Sequence, residues 1–243
     1  MHLENIYIIY YINGGKINIL DWWCERAWIK FGCLITAFMT VLIMLFWKIL
    51  STELKIMGAI AALIPIHVIE EWVFPGGFNY QYNLFFYNST QPYRYPMNRF
   101  SGIITNLEAT FGYAVITIIY AIIENKGGFL PSGFIMGTIT FSALEVIIHR
   151  FFGVKSYFYF RKDGKTTIYG PGSITAYLGF GVFGFILYYI LVERIKSKLL
   201  YSYDWAIMTG ILIFILVFCI LGPENMIKNK NSKYFFKTNG YFD

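Results

Sequence analysis

The chain has 243 residues, of which 57% are hydrophobic and 14% are charged. An average soluble domain is about 45–50% apolar and about 25% charged, so this composition excludes an ordinary soluble domain and indicates a membrane protein. The formal net charge is +6. In a membrane protein such an excess comes from basic loops on the cytoplasmic side, so we predict no nucleic-acid partner.

The first 30 residues contain no segment that is predicted to cross a bilayer. Ile6–Ile12 is apolar but short, whereas a spanning helix needs about 20 mostly apolar residues. No basic region precedes this run, as it would in a secretory signal. We expect residues 1–30 to form an N-terminal arm that either lies at the membrane interface or is frayed.

Six later segments are long and apolar enough to be spanning helices. They are Phe31–Trp47, Ile56–Phe74, Ile103–Ile123, Phe129–Phe151, Ser173–Val192 and Trp205–Leu221. They predict an all-α fold, a polytopic transmembrane helical bundle of about six spans that occupies residues 31–222 as one domain. Residues 223–243 follow as a basic C-terminal tail. The expected location is the cell membrane, with the lipid bilayer as the immediate partner.

The distribution of Lys and Arg predicts the orientation of this bundle. With six spans, the two termini and the loops on their side carry 14 of the 20 basic residues, and the opposite side carries 6. Loops rich in Lys and Arg stay in the cytoplasm. The sequence therefore predicts that both termini are cytoplasmic.

Ionisable side chains interrupt the second predicted span near its cytoplasmic end. His67 precedes Glu70 by three residues and Glu71 by four, so on a helix the imidazole and both carboxylates lie on neighbouring surface positions. Charged groups are expensive to bury in a membrane and mark functional sites by default. The cluster is therefore the first candidate for a site.

Polar residues of three further spans are predicted at the same depth. They are Glu108 in the third span, Glu145 and His149 in the fourth, and Thr175 in the first turn of the fifth, directly after Pro171 and Gly172. A helix rises about 1.5 Å per residue, so these positions form one layer. The free N–H groups at the start of the fifth span could receive an anion there, although Pro and Gly also punctuate helices without any ligand.

The residue types in this layer are those of a metal centre. We predict His67, Glu71, Glu145 and His149 as ligands of a divalent metal, and Glu70 or Glu108 as a general acid/base or an extra ligand. Imidazole combined with carboxylate oxygen suits Zn, Fe or Mn, and the residue types do not select among them. Glutamates and histidines on facing helices of a bundle also form the di-iron and di-manganese centres.

The same residues carry a resemblance to a known family. His67-x-x-Glu70-Glu71, followed by Pro75-Gly76-Gly77-Phe78, resembles the small bacterial membrane proteins named for their HXXEE motif. The later His149 and Pro171-Gly172-x-x-Thr175 are similar to the second half of that family, so the resemblance spans roughly residues 55–195. It implies a membrane protein with a shared polar site and no particular reaction. A Gly precedes Pro171 where the family pattern has Asn.

Three functions remain open at this point. The first is a membrane-embedded, metal-dependent enzyme, hydrolytic or oxidative, whose site opens to the cytoplasm and takes a lipidic or amphipathic substrate. The second is a transporter of protons or metal ions, although the outer halves of the spans, such as Ile56–Ile66, are almost wholly apolar. The third is an accessory protein in which the polar cluster only fixes helix packing.

Overall fold

A computed structural model of the chain describes residues 19–236. Within this range the chain forms helices joined by turns and loops, without a strand. Six of its helices are long and apolar enough to cross a membrane, as the sequence predicts. The helices used below are α1 (Trp28–Leu45), α2 (Thr52–Trp72), α3 (Phe78–Tyr87), α4 (Arg99–Asn125), α5 (Ser132–Phe160), α6 (Ser173–Lys196) and α7 (Ser202–Ile227).

The helix ends differ from the predicted ones at the start of the bundle, at the end of α5, which continues past the predicted Phe151 to Phe160, and at the end of α7, which continues past the predicted Leu221 to Ile227. A short helix, Ile19–Trp22, and a π-helical stretch, Trp23–Ala27, lead directly into α1. The end of the predicted N-terminal arm is thus helical, whereas residues 1–18 lie outside the described residues. Two later spans also contain π-helical stretches, Ala176–Gly181 in α6 and Phe214–Leu221 in α7. Residues 237–243 of the predicted tail again lie outside the description.

Apolar side chains cover the outside of the bundle, and polar side chains lie inside it. Phe185 and Leu178 are each 72% exposed, whereas His67, Glu71 and His149 are buried. Water would disfavour such a distribution, but the hydrocarbon of a bilayer is as apolar as these outward-facing side chains. The burial pattern therefore supports a membrane environment for the six long helices.

The two helices with the predicted ligands are the most enclosed. α2 packs against α1 and α4, and α5 packs against α6 and α7. Most of the residues of α2 are buried, whereas α1 buries only Trp28 and Met39. Any polar residue that faces inward from α2 or α5 is therefore surrounded by protein, and α1 is largely left to the lipid.

The tyrosine-rich segment between α2 and α4 covers the end of the bundle that holds the site. It begins as α3, whose Phe78 and Phe85 pack against Phe152 of α5. The Asn83 amide then holds the following loop, donating to the carbonyls of Pro92 and Met97 and accepting from the Met97 N–H. The loop ends at Asn98, which caps α4 through its side chain. Through Phe78 this segment packs directly against His149 of α5.

Candidate metal centre

Four side chains from α2 and α5 point their donor atoms at one spot. The Nε2 atoms of His67 and His149 lie 3.2 Å apart. Glu71 Oε1 lies 3.4 Å from each of these nitrogens, and Glu145 Oε2 lies 3.3 Å from each. The structure thus brings together the four residues that the sequence predicts as metal ligands.

The nitrogen–nitrogen and nitrogen–oxygen spacings are compatible with ligands around one ion. Bonds of about 2.0–2.2 Å place the ligand atoms of a tetrahedral ion about 3.3–3.6 Å apart, and adjacent ligands of an octahedral ion about 2.8–3.1 Å apart. Every nitrogen–nitrogen and nitrogen–oxygen distance in the set lies between 3.2 and 3.4 Å. The group whose ligand atoms all lie within 4.8 Å of one another consists of His67, Glu145 and His149, and Glu71 is not part of it.

The charges of the set also suit a divalent cation. Glu71 and Glu145 bring two negative charges into a site where both imidazoles are buried, and an uncompensated buried charge is costly. A doubly charged ion with two neutral imidazoles makes the site neutral. Two protons, on the carboxylates or shared between a carboxylate and an imidazole, would also neutralise it.

A hydrogen-bond chain fixes the tautomer of His67. The Thr175 hydroxyl lies 2.5 Å from Glu70 Oε2 and 2.7 Å from His67 Nδ1. Because a carboxylate only accepts, we assign the hydroxyl proton to the bond with Glu70 and the Nδ1 proton of His67 to the bond with Thr175. The lone pair of His67 is then on Nε2, the nitrogen that faces the other three donors. Metal-binding histidines are commonly held in this way through their second nitrogen.

Glu70 joins α2 to the start of α6 instead of pointing at the four donors. Its carboxylate accepts hydrogen bonds from the N–H groups of Ile174 and Thr175, at 2.9 Å each. It also accepts from the hydroxyls of Thr175 and Tyr169, the latter at 2.6 Å. The anion at the N-terminus of this helix is therefore a side chain of the protein. These contacts favour a positioning role for Glu70, and its predicted acid/base role stays a prediction.

Tyr169, which sequence analysis did not select, is a reliable donor in this arrangement. Burial raises the pKa of its phenol, and the Glu70 carboxylate raises the pKa further. The phenol therefore stays protonated well into the alkaline range. Only its position close to Pro171 and Gly172 could have singled it out in the sequence.

Gly172 explains why the turn before α6 can approach both imidazoles. Its φ angle is +86°, a conformation that glycine adopts without strain. A Cβ atom at this position would collide with the His149 ring and would also meet Cε1 of His67. The preceding Pro171 is buried beside it. The Pro171-Gly172 turn thus provides the close packing that holds the His149 ring, whose Nδ1 has no hydrogen-bond partner among the described residues.

Glu108 does not join the cluster. It lies on α4 with its side chain exposed on the surface of the bundle. Among the described residues the carboxylates in contact with the imidazoles are those of Glu71 and Glu145. The acid/base or ligand role of Glu108 therefore stays a prediction from depth alone.

A cavity of about 340 Å³ lies next to the four donors, and Glu71 contributes to its wall. The other walls come from Glu25 before α1, the first residues of α1, the end of α2 and the turn after it, the starts of α3 and α4, and Phe236. The volume lies within the range of about 300–1,000 Å³ that is usual for small-molecule sites. Of the four donors, Glu71 is the one that lines this cavity.

Comparisons with protein-family models, curated proteins and solved structures give no match for this chain. The resemblance to the HXXEE family stays a prediction, and the function has to be argued from the geometry of the site.

Proposed function

We propose that this protein is a membrane-embedded, metal-dependent enzyme that acts on a lipidic or amphipathic substrate by a hydrolytic or an oxidative reaction. The observation that carries the proposal is the convergence of two imidazole nitrogens, 3.2 Å apart, with a Glu71 oxygen and a Glu145 oxygen that each lie 3.3–3.4 Å from both nitrogens. His67, Glu71, Glu145 and His149 would hold the ion. The predicted orientation puts this site at the cytoplasmic side of the membrane.

Zn, Fe or Mn bound here would supply Lewis-acid chemistry, and Fe or Mn also redox chemistry. Side chains of the protein would orient the ligands and contact the substrate. Thr175 and Glu70 orient His67 through the hydrogen-bond chain. Glu71 belongs both to the four donors and to the cavity wall, so a substrate in the cavity meets the site through this side chain.

Enclosure of the cluster favours an enzyme over a transporter. The side chains of His67, Glu71 and His149 are at most 8% exposed, and that of Glu145 is 20% exposed. A route across the membrane would need polar groups continuing from the cluster toward the other face. The half of α2 on that side, residues 56–66, is apolar. On α5, Thr138 and Ser142 are buried polar residues on that side, so it is the enclosure of the cluster and the apolar half of α2 that favour the enzyme.

Metal analysis of the purified protein tests the proposal. We expect about one Zn, Fe or Mn per chain by mass spectrometry of the detergent-solubilised wild type, and its loss in His67→Ala and in Glu145→Ala. Glu108→Gln is the matched control, since it removes a membrane-embedded carboxylate outside the cluster, and it should keep the metal. Gel filtration and circular dichroism establish that each variant is folded.

Two results would overturn the proposal. The first is a folded wild type that binds none of the three metals even after incubation with each. The second is metal that persists unchanged in both cluster variants. Loss of folding in every cluster variant without metal in the wild type would instead identify a packing cluster.

A further inference from the structure

A second cavity lies between α1, α2 and α4, at the end of the bundle opposite the four metal-binding donors. Its volume is about 280 Å³, and its described wall is apolar apart from Thr117 and Asn125. On α2 the wall includes Leu54 and Gly58. Gly58 precedes His67 by nine residues, or about 14 Å along the helix. This α1–α4 cavity is therefore separate from the metal centre.

The α1–α4 cavity is elongated along the helices. Its wall extends from Thr117 to Asn125 on α4, and from Met39 to Phe46 at the end of α1. At 1.5 Å per residue these walls are about 10–12 Å long. The small side chain of Ala121 lies in the middle of the α4 wall and leaves room there. A long apolar space parallel to spanning helices has the shape of a segment of an acyl chain.

The rim of the α1–α4 cavity faces the lipid. Phe46 and Ile122 line it and are 46% and 52% exposed, and α1 buries only Trp28 and Met39 along its length. Water is disfavoured in an apolar cavity, whereas lipid chains are as apolar as this wall. A chain in the cavity would also supply the dispersion contacts that the wall side chains otherwise lack on that side. The bilayer is therefore the source of the group that fills it.

Three lysines lie at the membrane-edge end of the α1–α4 cavity. Lys48 and Lys55 are sequence neighbours of the lining residues Ile49 and Leu54, and Lys126 follows the lining residue Asn125. The ammonium group of Lys55 lies 4.8 Å from the ring centroid of Trp47. Lysine carries its charge on a flexible four-carbon stem, so these ammonium groups can gather around one anion at the mouth of the cavity.

Carboxylates at the same end do not balance the three lysines. Glu53 pairs with Arg194 at 2.9 Å, so this pair adds no net charge. Glu124 accepts a hydrogen bond from the Ser51 N–H at 2.9 Å and is the remaining carboxylate beside the cavity among the described residues. Three positive charges thus face one negative charge. Basic clusters at the membrane surface attract anionic head groups.

We infer that the α1–α4 cavity binds an acyl chain of an anionic phospholipid, whose phosphate lies among Lys48, Lys55 and Lys126. The bound lipid would hold the end of α1 against α2 and α4, since its chain contacts all three helices. This inference goes beyond the proposed function and does not depend on it, because the cavity and the metal centre share no residue.

Binding of defined lipids to delipidated, metal-depleted protein tests the inference. Native mass spectrometry would compare phosphatidylglycerol with phosphatidylcholine of the same acyl chains, and with inorganic phosphate alone. We expect one equivalent of phosphatidylglycerol to bind about tenfold more tightly than phosphatidylcholine. Inorganic phosphate should bind far more weakly than either lipid. Similar affinity for inorganic phosphate and phosphatidylglycerol would overturn the assignment of an acyl chain.

One variant tests the cavity itself. Ala121→Phe puts a ring into the space assigned to the acyl chain, so binding of both lipids should weaken about tenfold as the chain loses its contacts with the wall. Gly210→Phe is the matched control, because a side chain at this position of α7 meets open space and is not in the cavity wall. It should bind both lipids like the wild type.

A second variant tests the head group. Lys48→Gln combined with Lys126→Gln should reduce the preference for phosphatidylglycerol to less than about threefold and leave phosphatidylcholine binding unchanged. The matched control combines Lys162→Gln with Lys228→Gln, which removes two exposed lysines at the other end of the bundle. These exposed positions keep the test valid even where a ring at position 121 disturbs folding.

The outcomes separate this inference from the proposed function. Equal binding of the two lipids, or an unchanged preference in the Lys48 and Lys126 variant, would overturn the inference even in a protein that contains stoichiometric metal. Unchanged lipid binding in folded Ala121→Phe would also overturn it. A preference for phosphatidylglycerol that both variants reduce would support the lipid site, even where the wild type binds no metal and the proposed enzyme is rejected.

Discussion

At the scale of single residues, the two imidazoles of the site are held in different ways. His67 donates from Nδ1 to the Thr175 hydroxyl, whereas Nδ1 of His149 has no partner among the described residues. His149 is fully buried and packs against Phe78, with ring centroids 4.8 Å apart. The orientation of His67 therefore depends on a polar contact that a point mutation can remove, and that of His149 depends on packing.

Thr175→Val removes the hydroxyl at nearly constant shape and leaves His67 Nδ1 without its acceptor. Loss of such an outer partner typically lowers metal affinity about 10–100-fold. We expect a decrease of that size, measured by competition with a chelator, while the four donors remain in place. Thr175→Ser restores the hydroxyl and should recover most of the affinity.

The control for this substitution is Thr140→Val. The Thr140 hydroxyl donates to the Met136 carbonyl within α5, so its loss has no route to the donors. Equal metal affinity in Thr175→Val and the wild type would show that the Thr175–His67 contact does not orient the ligand.

At the scale of helices, the hydropathy pattern predicts the depth of a residue in the membrane. It predicts the direction of the side chain much less well. His67, Glu71, Glu145 and His149 come together because they share a depth and also face inward from α2 and α5. Glu108 was predicted from the same depth, yet it faces outward from α4. Successive residues of a helix turn by about 100°, so one position can face the core and the next the lipid.

The sequence does not identify residues whose role depends on contacts with distant parts of the chain. Asn83 closes the loop after α3 through Pro92 and Met97, and an Asn in a tyrosine-rich segment has no local pattern that predicts this. Trp28 was placed in the N-terminal arm, whereas it lines the cavity beside Glu71. Both roles depend on which helices pack against each other. The periodicity of a single sequence does not show which helices do so.

The docking of α6 on α2 depends on one carboxylate. Glu70→Gln keeps the volume but replaces one acceptor oxygen with a donor amide, which leaves at least one N–H of Ile174 or Thr175 unsatisfied. Since hydrogen bonds to charged groups contribute about 1.5–3 kcal/mol each, we expect a loss of about 2–4 kcal/mol. The loss would be measured as a lower thermal midpoint in detergent.

Hydrogen exchange locates the effect of Glu70→Gln. The amides of Ile174 and Thr175, which bond to Glu70, should exchange faster than in the wild type. Glu193→Gln removes a carboxylate that is 49% exposed and paired with Lys196, so it should change stability by less than about 0.5 kcal/mol. Similar midpoints for the two variants would contradict the role assigned to Glu70.

At the scale of the whole molecule, the buried polar layer lies at one end of the bundle. Counting along α2 and α5, His67 and Glu145 are about 20 Å from the helix starts at Thr52 and Ser132. In the six-span order, in which successive spans alternate in direction, α2 and α5 run the same way, and these equal distances put their ligands at the same depth. Whether this end of the bundle lies at the cytoplasmic or the outer side of the membrane determines from which side a substrate enters.

The distribution of basic residues predicts that the site end faces the cytoplasm, because 14 of the 20 Lys and Arg residues lie on that side. Lys162 after α5 and Lys126 after α4 are both exposed and lie at opposite ends of the bundle. Each would be changed to Cys in a chain whose three native cysteines are replaced by Ser. In right-side-out vesicles a membrane-impermeant maleimide should label Lys126→Cys at once and Lys162→Cys only after permeabilisation. The reverse pattern would place the site outside the cell, and labelling of both residues before permeabilisation would contradict the spanning arrangement of α5.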